Sequence, residues 1–310
     1  MDMRSVRLHP RPPFDFSLSA AIFSRGGIRF RQFSEGVFRH ALEAGGHPLL
    51  VEVRSAGTVE KPEIAIAIRS DRTVTAREQE EAAAIVSRIF STGDDLAPFY
   101  RAMEPDPVMS DLVRQLHGLR APSTPTVFEA LVDSVIEQQI SLKAAQSIEY
   151  RLISTLGHTF AAGGSTWHCY PGVQVLSETT DATFRACGLT LRKGEYIRGI
   201  AQLVLSGGLD PESYRGYPDT ESIIAGLVKV RGIGRWTAEL TILRGLHRPD
   251  AFPADDVGVR RFISRFYRGG EKITSADARI FAERWGAWKG FAAYYLEVAD
   301  LMGITPERPA

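Results

Sequence analysis

Between residues 223 and 243 the chain has few conformational choices. Ile223, Ile224, Leu227 and Val228 line one side of an amphipathic turn, Gly232-Ile233-Gly234 interrupts it, and Trp236, Leu240 and Leu243 then recur at helical spacing from Arg235 onward. Two helices joined by a tight glycine hairpin follow. Glycines at 232 and 234 allow φ values that other residues avoid and let a ligand approach the backbone, so the hairpin amides and the second helix's N-terminus can point at one phosphate. An isolated Gly-x-Gly between apolar helices is also how a plain αα-turn is built. The surroundings favour the phosphate. From Lys229 to Arg268 nine Lys and Arg stand against four acids, a net of +5, within a chain whose 37 bases balance 37 acids. Such gathered charge is the footprint of a nucleic-acid face, and a hairpin of this kind grips the backbone without reading bases.

Asp255-Asp256 follows, with Asp256 22 residues after Gly234. It precedes Val259, Phe262, Ile263 and Phe266, spaced i, i+3, i+4, i+7, so one reading of the pair is a helix N-cap, stabilising by about 1 kcal/mol. The other is a carboxylate held near the hairpin for chemistry.

The run Gly232-Ile-Gly-Arg-Trp-Thr-Ala238 followed by Pro253-Ala-Asp-Asp256 resembles the helix-hairpin-helix DNA glycosylase superfamily, specifically its 3-methyladenine DNA glycosylase II (alkylbase) branch. The resemblance extends over nearly the whole chain. Pro12-Pro-Phe-Asp-Phe16 looks like the opening of that branch's N-terminal domain. Ile136-Glu-Gln-Gln-Ile-Ser141 and Gly188-Leu-Thr-Leu-Arg-Lys193 with Tyr196-Ile197 resemble its central helices, and Glu283-Arg-Trp-Gly-Ala-Trp-Lys-Gly-Phe291 its last helix. The resemblance implies a mainly α fold with an N-terminal α+β domain, a helix-hairpin-helix glycosylase fold with a DNA-binding cleft between two helical domains, acting as a monomer on double-stranded DNA that carries a damaged base.

The organisation along the chain agrees. Leu49, Val51 and Val53 alternate with Leu50, Glu52 and Arg54, and Ile64, Ile66 and Ile68 alternate with alanines, which predicts a β-hairpin connected through Gly57-Thr58 and Lys61-Pro62. Thr75-Ala-Arg-Glu78 is a capping box opening a helix with Ala82, Ile85, Val86, Ile89 and Phe90 on one face. Residues 1–100 thus read as an α+β domain and 101–125 as a linker and joining helix. Residues 126–225 read as a central helical domain, and 220–310 as the segment that brings the hairpin and Asp256 and completes the helical domains. Thr126-Val-Phe-Glu129 is a second capping box, leading into a helix that stops at Gln138-Gln139. Ser141 caps the next helix, and Ala161-Ala-Gly-Gly-Ser165 closes it as a loop. Everything from 107 onward reads as helical.

Composition sets limits. At 310 residues and 44% hydrophobic content the chain can bury two or three cores. No apolar run approaches the roughly 18 residues that span a bilayer, and the N-terminus lacks a signal-like apolar segment. No membrane association is expected, and the location is intracellular: cytoplasmic and nucleoid-associated, or nuclear. Cys169 and Cys187 are too few for a disulfide framework. With no cysteine beyond 187, the iron–sulfur cluster that some relatives carry near the C-terminus is not expected.

The resemblance also assigns roles. Base excision removes a base from the stack, holds it and breaks its bond to deoxyribose, while positive charge develops on the sugar. Asp256 matches the family carboxylate that stabilises this charge, and it can also orient or deprotonate the attacking water. A purine alkylated at N3 or N7 is already cationic and leaves without a general acid, so a single aspartate suffices. Trp236 matches a pocket tryptophan on whose face a cationic base stacks, and it also reads as a core residue. Bifunctional members carry an amine nucleophile, lysine, at that position. Tryptophan implies a monofunctional glycosylase that uses water. Gly232, Gly234, Arg235 and Thr237 are the expected DNA contacts. Gln139 occupies the position of the wedge that fills the vacated stack, or is a solvated helix end. Glu297 falls where some relatives place a pocket tryptophan; it can accept bonds from a base's exocyclic amine or lie at a solvated end. Carbonyls of Val228, Val230 and Ile233 resemble those that hold a structural Na⁺ or K⁺; no other cofactor is implied. Alternatives are a glycosylase for oxidised or deaminated bases, or a non-catalytic DNA-binding protein in which Asp256 only caps.

Overall fold

A computed structural model describes residues 3–24 and 30–305. The chain begins with β1 (Met3–Leu8), α1 (Phe16–Phe23), β2 (Arg31–Ser34), β3 (Val37–Ala44), β4 (His47–Ser55), β5 (Ile64–Arg69) and α2 (Ala76–Ile89). The five strands form one antiparallel sheet in the order β1-β5-β4-β3-β2. The predicted hairpin is its centre, β4 against β5 with Val51 opposite Ile68 and Val53 opposite Ile66. Alternation places Ile64, Ile66, Ile68, Leu49, Val51 and Val53 on the covered face, where Ala82, Val86 and Ile89 of α2 meet them. Each buried Val, Leu or Ile side chain among them contributes about 1.5–3 kcal/mol. The Thr75 capping box is complete: Glu78 N donates to Thr75 Oγ1 at 3.2 Å and Thr75 N to Glu78 Oε2 at 2.8 Å.

The helical part continues with α3 (Ala97–Met103), α4 (Pro107–Gln115), α5 (Val127–Glu137) and α6 (Leu142–Leu156). A short hairpin, β6 (Thr159–Ala162) and β7 (Ser165–His168), interrupts it. This corrects the expected loop at 161–165 and the all-helical reading beyond 107. Gly163 and Gly164, both at positive φ, make the turn, and Phe160 and Trp167 pack with Ala41 and Leu50 of the large sheet. Then come α7 (Val173–Glu178), α8 (Asp181–Ala186), α9 (Leu191–Leu205), α10 (Thr220–Leu227), α11 (Arg235–Gly245), α12 (Val257–Tyr267), α13 (Ser275–Ala282) and α14 (Lys289–Met302). Ser141 caps α6 as expected. Thr126 caps α5 through the Glu129 amide at 3.1 Å, but the Glu129 carboxyl meets the Thr126 hydroxyl, so that capping box is only half built.

Two further cores form here, and they do not follow chain order. One gathers α5, α6 and α9 with both hairpin helices, through Leu131, Val135, Ile148, Ile197, Ile223, Leu227 and Ile242. The other joins α3 and α4 to α12–α14, through Phe99, Met109, Leu112, Phe262, Trp285 and Leu296. The chain passes from one to the other between Ala251 and Phe252, and Asp256 lies just beyond this crossing. No helix among the described residues is long and apolar enough to cross a membrane.

Candidate active site and nucleic-acid face

The hairpin joins α10 to α11, and its two glycines do different work. Gly232 sits at φ +95°, and a Cβ there would lie 2.3 Å from the Tyr196 ring, so only glycine fits. Gly234 does not need unusual φ: it is the N-cap of α11 at φ −92°, correcting the expectation for that position. Its Cβ position meets nothing within 4 Å, and no side chain caps the helix. The first amides of α11 are therefore open to an outside acceptor.

At the start of α12 the opposite holds. Asp256 Oδ1 accepts the Val259 amide at 3.0 Å, so the capping role is real. Oδ2 accepts from the Trp236 indole Nε1 at 3.1 Å. The two readings of Asp256 are thus compatible: one oxygen is used in the cap and the other is aimed by Trp236. Asp255 is exposed. Trp236 is half-buried and belongs to none of the buried clusters among the described residues.

Glu297 on α14 is half-buried, and its carboxyl is pushed above the usual range by burial, with Arg244 opposing and the charge of Asp256 adding to the rise. Tyr294, one turn earlier, presents a buried hydroxyl with no hydrogen-bond partner among the described residues. Sequence reading overlooked Tyr294, although its i, i−3 spacing from Glu297 was a usable signal.

The expected DNA contacts separate. Gln139 is exposed on the α5–α6 turn at φ +57°. Thr237 is 2% exposed, and its hydroxyl accepts from Gln138 Nε2 at 3.0 Å, so its side chain faces inward and only its backbone amide remains for DNA. Arg235 is held by Glu221, at 3.1 Å from Nη1, and by Glu239, at 2.9 Å from Nε. The net +5 is likewise not a continuous patch: Arg244 pairs with Glu137, and Arg261 and Arg265 with Asp300, carboxylates outside the counted segment. Lys229 and Arg231 are exposed beside the glycines, Arg231 reaching Glu195 at 3.4 Å. The Val230 carbonyl accepts from the Ile233 amide at 3.1 Å, leaving one lone pair for a cation, whereas the Val228 and Ile233 oxygens accept no hydrogen bond among the described residues. Both cysteines are free and buried, and burial pushes both thiols up, so they pack rather than react.

The glycine hairpin with its open helix start thus lies in the same part of the fold as the capped and aimed aspartate, at the crossing between two helical cores. The chain belongs to the HhH-GPD superfamily of base excision DNA repair proteins, whose family model matches residues 132–289. Within it, the chain is 32% identical over 231 residues to a DNA-3-methyladenine glycosylase of Bacillus subtilis, covering 74% of this chain and 75% of that protein. The solved 3-methyladenine DNA glycosylase of Archaeoglobus fulgidus superposes with a TM-score of 0.84 at 26% identity, over 97% of this chain and all of the other. The 8-oxoguanine glycosylase/lyase of Clostridium acetobutylicum, solved with double-stranded DNA, shares the fold at a TM-score of 0.76 and 20% identity, over 98% of each chain.

Proposed function

We propose that the chain is a monofunctional DNA glycosylase that takes alkylated purines of the 3-methyladenine and 7-methylguanine type out of duplex DNA and hydrolyses the N-glycosidic bond, leaving an abasic site. The observation that carries this reading is the Asp256 carboxylate fixed by two donors, the Val259 amide at 3.0 Å and the Trp236 indole at 3.1 Å, beside an aromatic face. A carboxylate about 4 Å from the developing sugar cation stabilises it by about 4 kcal/mol at an effective dielectric near 20. Being cationic already, the base needs no proton to leave, and Trp236 supplies the face on which it stacks. The Tyr294 hydroxyl and Glu297 carboxyl would meet the base's polar edge. Gln139 fills the vacated stack, and the hairpin amides with Lys229 and Arg231 hold the backbone. The Val228, Val230 and Ile233 carbonyls would hold a Na⁺ or K⁺ that adds positive charge at the phosphate.

Position 236 supports water as the nucleophile, because an indole cannot form a Schiff base with the sugar. The test incubates methylated DNA with the wild-type protein and with Asp256→Asn, measuring free base, strand integrity and borohydride trapping. Free methylpurine, an intact abasic strand and no trapped adduct are expected from wild type. A wild-type adduct that survives mutation of the N-terminal amine would end the monofunctional reading, and equal base release by Asp256→Asn would end the catalytic one.

A further inference from the structure

The turn that carries Gln139 and the glycine hairpin are far apart in sequence, yet a small set of buried polar atoms joins them. Gln138, next to the exposed Gln139, turns inward: its Nε2 donates to the Gly232 carbonyl at 2.9 Å and to Thr237 Oγ1 at 3.0 Å. Its own carbonyl, with that of Ile136, accepts from Lys193 Nζ, at 2.6 and 2.7 Å. Lys193 is 8% exposed, an unusual burial for a lysine, and its ammonium meets the carbonyl end of α5, where a helix dipole favours positive charge. Tyr196 lies three residues further along α9, on the same face, and its ring occupies the space a Gly232 side chain would take. The first turns of α9 therefore hold the α5–α6 turn through Lys193 and the hairpin through Tyr196, while Gln138 ties the two loops directly.

We infer that Lys193 and Gln138 are positioning residues for base extrusion, locking the Gln139 turn to the Gly232–Gly234 hairpin so that wedge and backbone grip enter DNA as one rigid body. The inference rests on the proposed wedge role of Gln139. Its physical basis is that prising a paired base from the stack takes a few kcal/mol, which a loosely held wedge would lose by moving away. Gln139 at φ +57° is itself an uncommon conformation for a residue with a side chain, and the bonds on Gln138 hold it there.

The test is single-turnover excision of 7-methylguanine placed either in a fully paired duplex or at the centre of a three-base mismatch bubble, where the base is already loosened. Gln138→Ala and Lys193→Met, which removes the buried charge rather than leaving it unpaired, should each slow the paired substrate by about tenfold and the bubble by less than about threefold. Gln138→Ala decides the matter should Lys193→Met fail to fold. Gln139→Ala should show the same duplex-selective loss, and adding Gln138→Ala to it should slow excision by less than about twofold more, because both act through one wedge. Equal slowing on both substrates, or none on either, would overturn the inference. Duplex-selective loss in Gln139→Ala without it in Gln138→Ala would remove the brace and leave the wedge. An unaffected Gln139→Ala would remove the wedge reading and the brace with it.

Discussion

Two consecutive helices, α11 and α12, begin in opposite ways. The first starts at Gly234 with no side-chain cap; the second starts at Asp256, whose carboxylate fills the cap. Both ends carry the same unsatisfied amides and the same partial positive charge. Left open, the first would receive a phosphate from another molecule on the proposed reading. Filling the other with a carboxylate makes a fixed anion, oriented by the helix and by Trp236. The difference teaches that one backbone feature can be used in two ways within 22 residues: one start is left open to negative charge and the other carries it.

The sharpest way to break the comparison is Asp256→Asn. Asparagine keeps the cap and the shape but not the charge, so folding and DNA binding should survive while excision falls about a thousandfold, as loss of about 4 kcal/mol implies. Base release within tenfold of wild type would reduce Asp256 to a cap. At the other helix, Gly234→Asp would close the open start with a carboxylate. Since a Cβ there meets nothing within 4 Å, the protein should fold, and its Kd for every DNA sequence should rise by at least about tenfold at moderate salt. Unchanged affinity in the folded variant returns the hairpin to a plain turn. Gly232→Ala should instead lower the Tm, because the positive φ and the Tyr196 ring both oppose a side chain.

A smaller effect sharpens the Asp256 side. Trp236→Phe keeps an aromatic face but loses the donor to Oδ2; a hydrogen bond to a charged group is worth about 1.5–3 kcal/mol, so a fall in excision of at least about tenfold with little change in KM is expected. A KM effect alone would mean the ring only binds substrate.

The least effect on excision is expected at the α5 start, a third kind of helix N-terminus, where the readout is stability. Burial pushes Glu129 up to about 8, with the Thr126 hydroxyl and Arg31 opposing and Glu149 and Glu212 adding. The folded state therefore holds that proton more tightly than the unfolded chain, whose Glu titrates near 4.3, and stability falls as pH rises between those values. Glu129→Gln should melt with wild type at pH 4 and above it at pH 9. Equal Tm values at pH 9 would show that the carboxyl titrates normally.

How much of this was legible in the sequence depended on how local each feature is. The Thr75 box, the Ser141 cap and the β4–β5 alternation are set within a few residues, and the structure contains them. The β6–β7 hairpin was missed because Ala161 and Ala162 have little strand preference of their own; pairing and the packing of Phe160 and Trp167 on the large sheet hold it. β1 was missed for a similar reason, since its partner β5 lies more than fifty residues away.

The same division runs through the site. Local spacing and chemistry determined the glycine hairpin, the helix after it and the capping ability of Asp256, because a turn, a periodic face and a cap each concern neighbours in the chain. Only the tertiary structure decided that Gln138 turns in while Gln139 stays exposed, that Lys193 is buried against the end of α5, and that Glu221 of the preceding helix also holds Arg235. It also decided that the free oxygen of Asp256 meets the Trp236 indole. A polar side chain's partner is chosen by whatever the fold brings within about 3 Å, and when that partner comes from a distant helix, no short stretch of sequence contains the choice.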